Sequence, residues 1–321
     1  MAIATALLAI LFAFSPLLTS PASADPPDEG GTDKLWKTLE ESSRGYYEIK
    51  DKLEKSRARQ GELNGQIAES QTKVDELSAK VDVIAEQAYV DGPVMELSAA
   101  MDSKSFTQLM ERMVFLDQLN WQNGKVLGEL KTSKAELDRQ KEEVDAEIAE
   151  EERQEQELLE TKQEAERALA EVGGAPSGGY SSGGLPAASP GPGGGGGCTE
   201  DDPTTSGCLT PNTLHALYEA KEVGFTRYVA CHRAASYGEH PKGRACDFAA
   251  AQGGFEGAAT GDDRLYGNRL AGWFVENAET LGVLYVIWYK QIWMPGTGWR
   301  SYSGGGDPSS AHTNHVHLSM E

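Results

Sequence analysis

Between residues 33 and 172 the chain has no cysteine and a single proline, Pro93, while apolar residues recur at alternating spacings of three and four. Leu63, Ile67, Val74, Leu77, Val81, Ile84 and Ala88 form one such run. Leu127, Leu130, Leu137, Val144, Ile148, Leu158, Ala165, Leu169 and Val172 form a second. That period belongs to a helix with one apolar stripe, and a stripe this long is a coiled-coil seam. The rest of the stretch is rich in Glu, Lys, Gln and Ala, which are good helix formers. Polar seam residues (Lys134, Lys141, Glu151, Glu155, Lys162) predict a coil of modest stability. Asp91-Gly92-Pro93 ends the first helix, because proline cannot continue it and glycine costs backbone entropy. Val94 to Asn120, with Phe106, Met110, Met113, Phe115 and the adjoining Trp121, is too apolar for a wet linker. It is expected as the tip of an antiparallel hairpin, with short helices forming a small cluster.

Both flanks of the coil differ in kind. Ala2 to Leu18 is apolar and leads to Ala22-Ser23-Ala24, a small-x-small cleavage site, so residues 1–24 are expected to be a secretory signal peptide cut after Ala24. Export permits disulfides among Cys198, Cys208, Cys231 and Cys246. Residues 173–197 are mostly Gly, Ser and Pro and are expected as a disordered, flexible linker. The formal charge of −21 argues against a nucleic-acid partner, because phosphate binding needs a basic face. Residues 198–321 carry 9 basic and 14 acidic side chains, so most of that charge belongs to the coil, where it reads as a solvated helix face.

From Cys198 onward the helical period disappears and Gly-rich turns separate short segments. Thr210-Pro211-Asn212 starts a helix that runs to about Val223. Tyr228–Cys231, Arg244–Ala249, Leu284–Trp288, Gln291–Trp293 and His315–Ser319 read as strands, and Leu270–Leu281 as an amphipathic helix. Residues 198–321 are thus expected to be a compact α+β domain. Trp273, Trp288, Trp293 and Trp299 are expected in its core and along a groove wall. There is no C-x-x-C, which argues against a zinc ribbon. Cys231 and Cys246 fall on adjacent strands and can pair, leaving Cys198 with Cys208, one of three possible connectivities.

All six histidines lie in this domain, five of them in or near two motifs: His240-Pro241-Lys242-Gly243-Arg244-Ala245-Cys246-Asp247 and His312-Thr313-Asn314-His315-Val316-His317. Side chains alternate along a strand, so His315 and His317 point the same way. Two imidazoles buried on one face require a ligand or a carboxylate. Two histidines and an aspartate make a three-ligand zinc set with a fourth position for water, which zinc would make acidic near neutral pH.

His240, Gly243, Ala245 and Asp247, followed by His315 and His317, resemble the LAS group of zinc peptidases: D-Ala-D-Ala carboxypeptidases, lysostaphin-type endopeptidases and the hedgehog signalling domain. The first motif resembles the carboxypeptidase branch, and the His-x-x-His-x-His ending at His317 resembles the murein endopeptidase branch. The resemblance implies a hedgehog- or DD-peptidase-like sheet. It implies His240, Asp247 and His317 as zinc ligands, His315 as base or transition-state stabiliser, and His312 in support. Arg233 lies where the carboxypeptidases carry an arginine near the substrate, and it would hold a carboxylate or a developing oxyanion. Two departures stand out: Gly238 replaces a serine, and Asn314 replaces a glutamate that precedes the last ligand. The module also resembles an uncharacterised C-terminal domain of secreted Gram-positive proteins. The coil, especially Ala88 through Leu116, is similar to those of secreted cell-wall endopeptidases and of division-linked amidase activators. In those families the coil meets a membrane complex that gates hydrolysis.

These features lead to the expectation of a secreted zinc peptidase that cuts peptidoglycan stem peptides or crosslinks and is regulated or positioned by its coil. A second reading from another class stays open. It is a non-catalytic cell-wall regulator or binding protein whose coil recruits a hydrolase.

Overall fold

A computed structural model describes residues 33–91, 98, 101–171, 173–193, 196–235 and 237–321. The expected signal peptide, residues 1–24, lies outside them, as do Gly92 and Pro93 of the expected helix break, residues 94–97, 99 and 100 of the expected hairpin tip and Val172 of the seam. Two long helices come first, α1 (Asp33–Asp91, 59 residues) and α2 (Phe106–Glu171, 66 residues). The chain divides into two compact units, Arg44–Glu164 and a second one in which the described residues up to Ser43 join Ala165–Glu321.

Within Arg44–Glu164 the helices run antiparallel. Arg57 pairs with Glu151 (2.6 Å) and Glu155 (2.9 Å), the Ser56 hydroxyl donates to Glu147 (2.8 Å), and Gln60 donates to Glu151 (2.8 Å). Leu53, Leu63, Val74, Leu77 and Leu137 are buried between them. Leu127 and Ile148, expected in the seam, are exposed. A helix with a single partner buries only one stripe, and residues turned from it stay wet. The expected apolar cluster at the tip is not found among the described residues either. Phe106 already belongs to α2, and Phe106, Met113, Val114, Phe115 and Trp121 are exposed. Among the described residues no helix is long and apolar enough to cross a membrane.

The other unit is built on an antiparallel sheet. Its elements are β1 (Glu200–Asp201), β2 (Cys208–Leu209), α3 (Pro211–Glu222), β3 (Val229–Ala230), a 3-10 turn (His240–Lys242), β4 (Ala245–Ala249), α4 (Gly261–Glu276), α5 (Ala278–Leu281), β5 (Val283–Trp288), β6 (Gln291–Met294), β7 (Gly298–Ser301) and β8 (His315–Met320). Six strands form the main sheet in the order β3-β4-β8-β5-β6-β7. The last strand therefore inserts at its centre. Thr210 caps α3 by accepting a hydrogen bond from the Thr213 amide, as its sequence implied. The helix expected over Leu270–Leu281 is longer and is broken at Asn277, giving α4 and α5.

Every residue of β4, β5 and β8 is buried, because both faces of the sheet are covered. On one face Phe248, Val286, Val316 and Leu318 pack against Leu217, Leu270, Trp273 and Phe274 of α3 and α4. On the other, Leu284, Tyr285, Ile287, Ile292, Met294 and Tyr302 pack against Leu35, Trp36 and Leu39 of α1 and Ala165 and Leu169 of α2. Trp273 and Trp288 are core residues, while Trp293 and Trp299 are partly buried at its margin.

The segment expected as a flexible linker differs from that expectation. Between residues 176 and 191 it lies along the sheet unit. The Ser177 hydroxyl donates to Gln291 (2.8 Å), Trp273 donates to the Pro186 carbonyl (2.7 Å), and the Ala188 amide donates to the Asn277 side chain (2.8 Å). Its composition cannot make a core, but its backbone supplies partners to polar groups at the edge of one. Two disulfides, Cys198–Cys208 and Cys231–Cys246, take the expected pairing. The second follows from register, since Ala230 lies opposite Asp247 and the next residues face each other.

Candidate metal centre

Strand register brings the centre together. On antiparallel strands β4 and β8, Asp247 lies directly opposite His317, and Ala249 opposite His315. Alternation then puts His315, His317 and Ser319 on the face of Asp247, while Val316, Leu318 and Met320 enter the helix-covered core. His240 arrives from the 3-10 turn, which ends in Gly243 with a left-handed φ of 69°. A Cβ at Gly243 would lie 2.3 Å from Cys198 Sγ and 2.6 Å from the Cys208 carbonyl oxygen. The third residue after His240 must therefore be glycine for the turn to rest on the Cys198–Cys208 bridge.

His240, Asp247 and His317 are all fully buried, and one potential ligand atom from each lies within 4.8 Å of the others. His240 Nε2 is 3.2 Å from Asp247 Oδ2 and 3.3 Å from His317 Nδ1, and His317 Nδ1 is 2.8 Å from Asp247 Oδ1. Tetrahedral zinc with bonds of about 2.0–2.1 Å holds its donors about 3.3 Å apart. The three side chains are thus already spaced for one ion of that size.

Hydrogen bonds orient the rings. His240 Nδ1 faces the Cys231 carbonyl (2.5 Å), which can only accept, so Nδ1 donates to it and Nε2 turns to the centre. His317 turns Nε2 to the Ser319 hydroxyl (2.8 Å), which can donate or accept and so suits either tautomer of the ligand. Asn314 donates through Nδ2 to the Glu256 carbonyl (2.8 Å) and to Ser309 (2.9 Å), so its Oδ1 accepts from His315 Nδ1 (2.7 Å). His315 therefore presents a bare Nε2 at 3.5 Å from Asp247 Oδ1. Lone pairs facing a buried carboxylate require a cation or a proton between them, and this donor set fits a divalent metal.

Burial alone would raise the Asp247 carboxyl. The basic groups around it, His240, His315 and Arg233, outweigh that and hold it well below the usual carboxylate range. Burial pushes the His315 imidazole down to about 4, Asp247 opposing and His317 and Arg233 adding to the shift. Burial and the neighbouring His315 and His317 likewise hold His312 well below its ordinary value.

Of the residues singled out in the sequence, His240, Asp247, His315 and His317 meet in one pocket. His312 stands beside them, its ring 4.7 Å from that of His315, with a left-handed φ of 49° that is uncommon outside glycine. Arg233, expected to face substrate, instead binds Asp247 Oδ2 at 2.5 Å. Its Nε finds no hydrogen-bond partner among the described residues. Sequence reasoning missed Ser319, Tyr285 and Trp36. Ser319 shares the two-residue period of His315 and His317 and was legible on that ground. Tyr285 stacks on His317 (5.5 Å, 13°), and Trp36 packs on Tyr285 (5.3 Å) from nearly 250 residues upstream, a contact with no local signal. Cys198, Cys208 and His232 form a second possible metal-binding group, but both sulfurs are committed to a disulfide.

Residues 205–315 match the family model described as VldE, C-terminal domain. This part of the chain is similar to that domain, and the match includes His240 and Asp247 but ends before His317. No curated protein and no solved structure matches the chain.

Proposed function

We propose that the chain is an exported zinc-dependent peptidase acting on the stem peptides or crosslinks of peptidoglycan, with its helical arm, a coiled coil, regulating or positioning it. One observation carries the reading: His240, Asp247 and His317 converge at the spacing of zinc ligands, two imidazoles around one buried carboxylate. The two disulfides fit an oxidising compartment outside the cytosol. The peptide substrate comes from the resemblance of the two histidine motifs to LAS-type peptidases.

Zinc bound there supplies Lewis acidity, polarising a carbonyl and making a water acidic. The protein's own groups do the rest. His315 is neutral at pH 7, its pKa being about 4, and its bare Nε2 accepts a proton. Asn314 fixes that tautomer by accepting from Nδ1. This answers the replacement of the expected glutamate, since Asn314 orients a base rather than serving as one. Arg233 binds Asp247 Oδ2, the oxygen that also faces His240, and so fixes the orientation of the carboxylate.

The full chain should carry about one zinc, and His317→Ala should lose it. His315→Ala should retain zinc yet lose hydrolysis of crosslinked muropeptides by about 10²–10⁴-fold, the usual worth of a general base. Absence of zinc from the unaltered chain, or undiminished hydrolysis by His315→Ala, would refute the assignment. The closure of the centre, whose three ligand side chains are at most 1% exposed, favours a second reading. In that reading the chain is a non-catalytic wall regulator whose helices recruit a hydrolase, and it predicts zinc without hydrolysis under any condition.

A further inference from the structure

We propose that the first turns of α1 and the last turn of α2 are a seal over the metal centre, one that must be displaced before a substrate reaches it. This rests on reading the centre as a site that admits a substrate. The seal has an apolar part and a charged part.

Leu35, Trp36, Leu39, Ala165 and Leu169 are buried against Leu284, Tyr285, Ile287, Ile292, Met294 and Tyr302, on the face of the sheet that carries the histidines. Trp36 lies between two rings, 5.3 Å from Tyr285 and 6.0 Å from Tyr302. Tyr285 is itself stacked on His317 at 5.5 Å, and Tyr302 stands 5.7 Å from His312. One aromatic side chain therefore separates Trp36 from a proposed metal ligand, and another separates it from a supporting histidine.

The charged part grips the turn that delivers His240. Glu40 binds Lys242 (2.7 Å) and Arg244 (3.3 Å), which flank Gly243 at the end of that turn. On the far side Glu166 binds Arg300 of β7 (2.5 Å), and the Ser43 hydroxyl donates to the Leu284 carbonyl (3.0 Å). With the seal in place His240, Asp247, His312, His315 and His317 are at most 2% exposed, which leaves no path for a polymeric substrate.

The opposite face cannot open instead, because its helices share the main hydrophobic core with β4, β5 and β8. The elements over the histidine face are joined to the sheet by a smaller apolar cluster and a few ion pairs, so displacing them costs less than parting the main core would.

The test uses the full-length, metal-stripped chain and diethylpyrocarbonate, which acylates accessible imidazoles. Peptide mass spectrometry follows modification of His312, His315 and His317 relative to half-exposed His215 on α3. Trp36→Ala removes the apolar wedge. Glu40→Lys breaks the charged grip at a partly exposed position and covers the case in which the first variant fails to fold. Each folded variant should accelerate acylation of the three histidines at least about tenfold relative to His215, as expected when a local closing contact is lost. An unchanged ratio in a variant whose thermal transition is intact overturns the seal. Zinc loss to EDTA from the loaded chain should accelerate in the same variants. If acylation rises but no variant binds zinc or cuts muropeptides, the seal stands and the peptidase assignment falls.

Discussion

His315 Nε2 and Asp247 Oδ1 face each other at 3.5 Å, and the folded chain disfavours the proton on both. In the metal-stripped chain this sets a pH dependence with a definite sign. The folded state keeps His315 neutral down to about 4, whereas the unfolded chain protonates it near the ordinary imidazole value of 6.5. Between those values the unfolded state binds more protons, so stability falls as pH drops through that window. His312 acts in the same direction. Asp247 loses its contribution only below the ordinary carboxylate range, since its folded value is depressed. Glu239, raised to about 7 by burial with Glu40 adding to it, slopes the other way between 4.5 and 7, because its folded state holds the proton. Comparing variants isolates His315. Metal-stripped His315→Gln should lose less stability than the unaltered chain between pH 6.5 and pH 4, by roughly 3 kcal/mol at most at about 1.4 kcal/mol per pKa unit. Urea midpoints measured across that range decide it, and parallel curves would reject the assignment. Gly243 gives a second residue-scale expectation. Its left-handed φ and the sulfur 2.3 Å from a would-be Cβ mean that Gly243→Ala should cost about 1–3 kcal/mol and loosen the His240 turn. Thermal unfolding and zinc affinity would both report it.

At the scale of elements, β8 was the most legible part of the site. Its histidines alternate with Val316 and Leu318, and period two assigns them to opposite faces before any partner strand is known. The long helices were legible from their stripe, and the disulfide pairing from adjacent strands. What stayed hidden depended on tertiary context. Residues 173–193 read as a tether because low apolar content says nothing about backbone groups that serve a neighbouring core. The turn joining β5 to β6 carried no turn residue at all. Trp288 pairs with Gln291, so Tyr289 and Lys290 form a two-residue hairpin loop with φ of 51° and 60°. Asn-Gly or similar is the usual signal for such a loop. Here Tyr289 is held by Arg264 over its ring at 3.7 Å and by the His312 carbonyl, which accepts from the Tyr289 amide at 2.7 Å. These contacts tie the loop to the segment that carries His312. Lys290 is exposed at a left-handed position, so Lys290→Gly should stabilise the unit by about 0.5–1 kcal/mol. A lowered melting temperature would show that the lysine contributes more than its backbone strain costs.

For the whole molecule, composition placed the boundary of the C-terminal fold at Cys198, where glycine gives way to aromatic residues. By packing, the compact unit that contains the metal centre also takes in described residues 33–43 and those from Ala165 onward. Cutting at residue 198 would strip Leu35, Trp36, Leu39, Ala165 and Leu169 from the histidine-bearing face and leave Leu284, Tyr285, Ile287, Ile292 and Met294 open to water. It would also remove Pro186, the acceptor for buried Trp273 Nε1, and the backbone partner of Asn277. At about 1.5–3 kcal/mol for each large apolar side chain returned to water, the loss rivals the whole stability of a small domain. A fragment of residues 198–321 should therefore associate or unfold near room temperature. A chain in which Ser43 is joined to Ala165 by a short Gly-Ser loop, omitting residues 44–164, should instead melt cooperatively as a monomer. Sedimentation and calorimetry of the two fragments distinguish these outcomes. Equal stability of both would mean that the helix ends lie on the sheet without holding it, which would also remove the energetic basis for a seal.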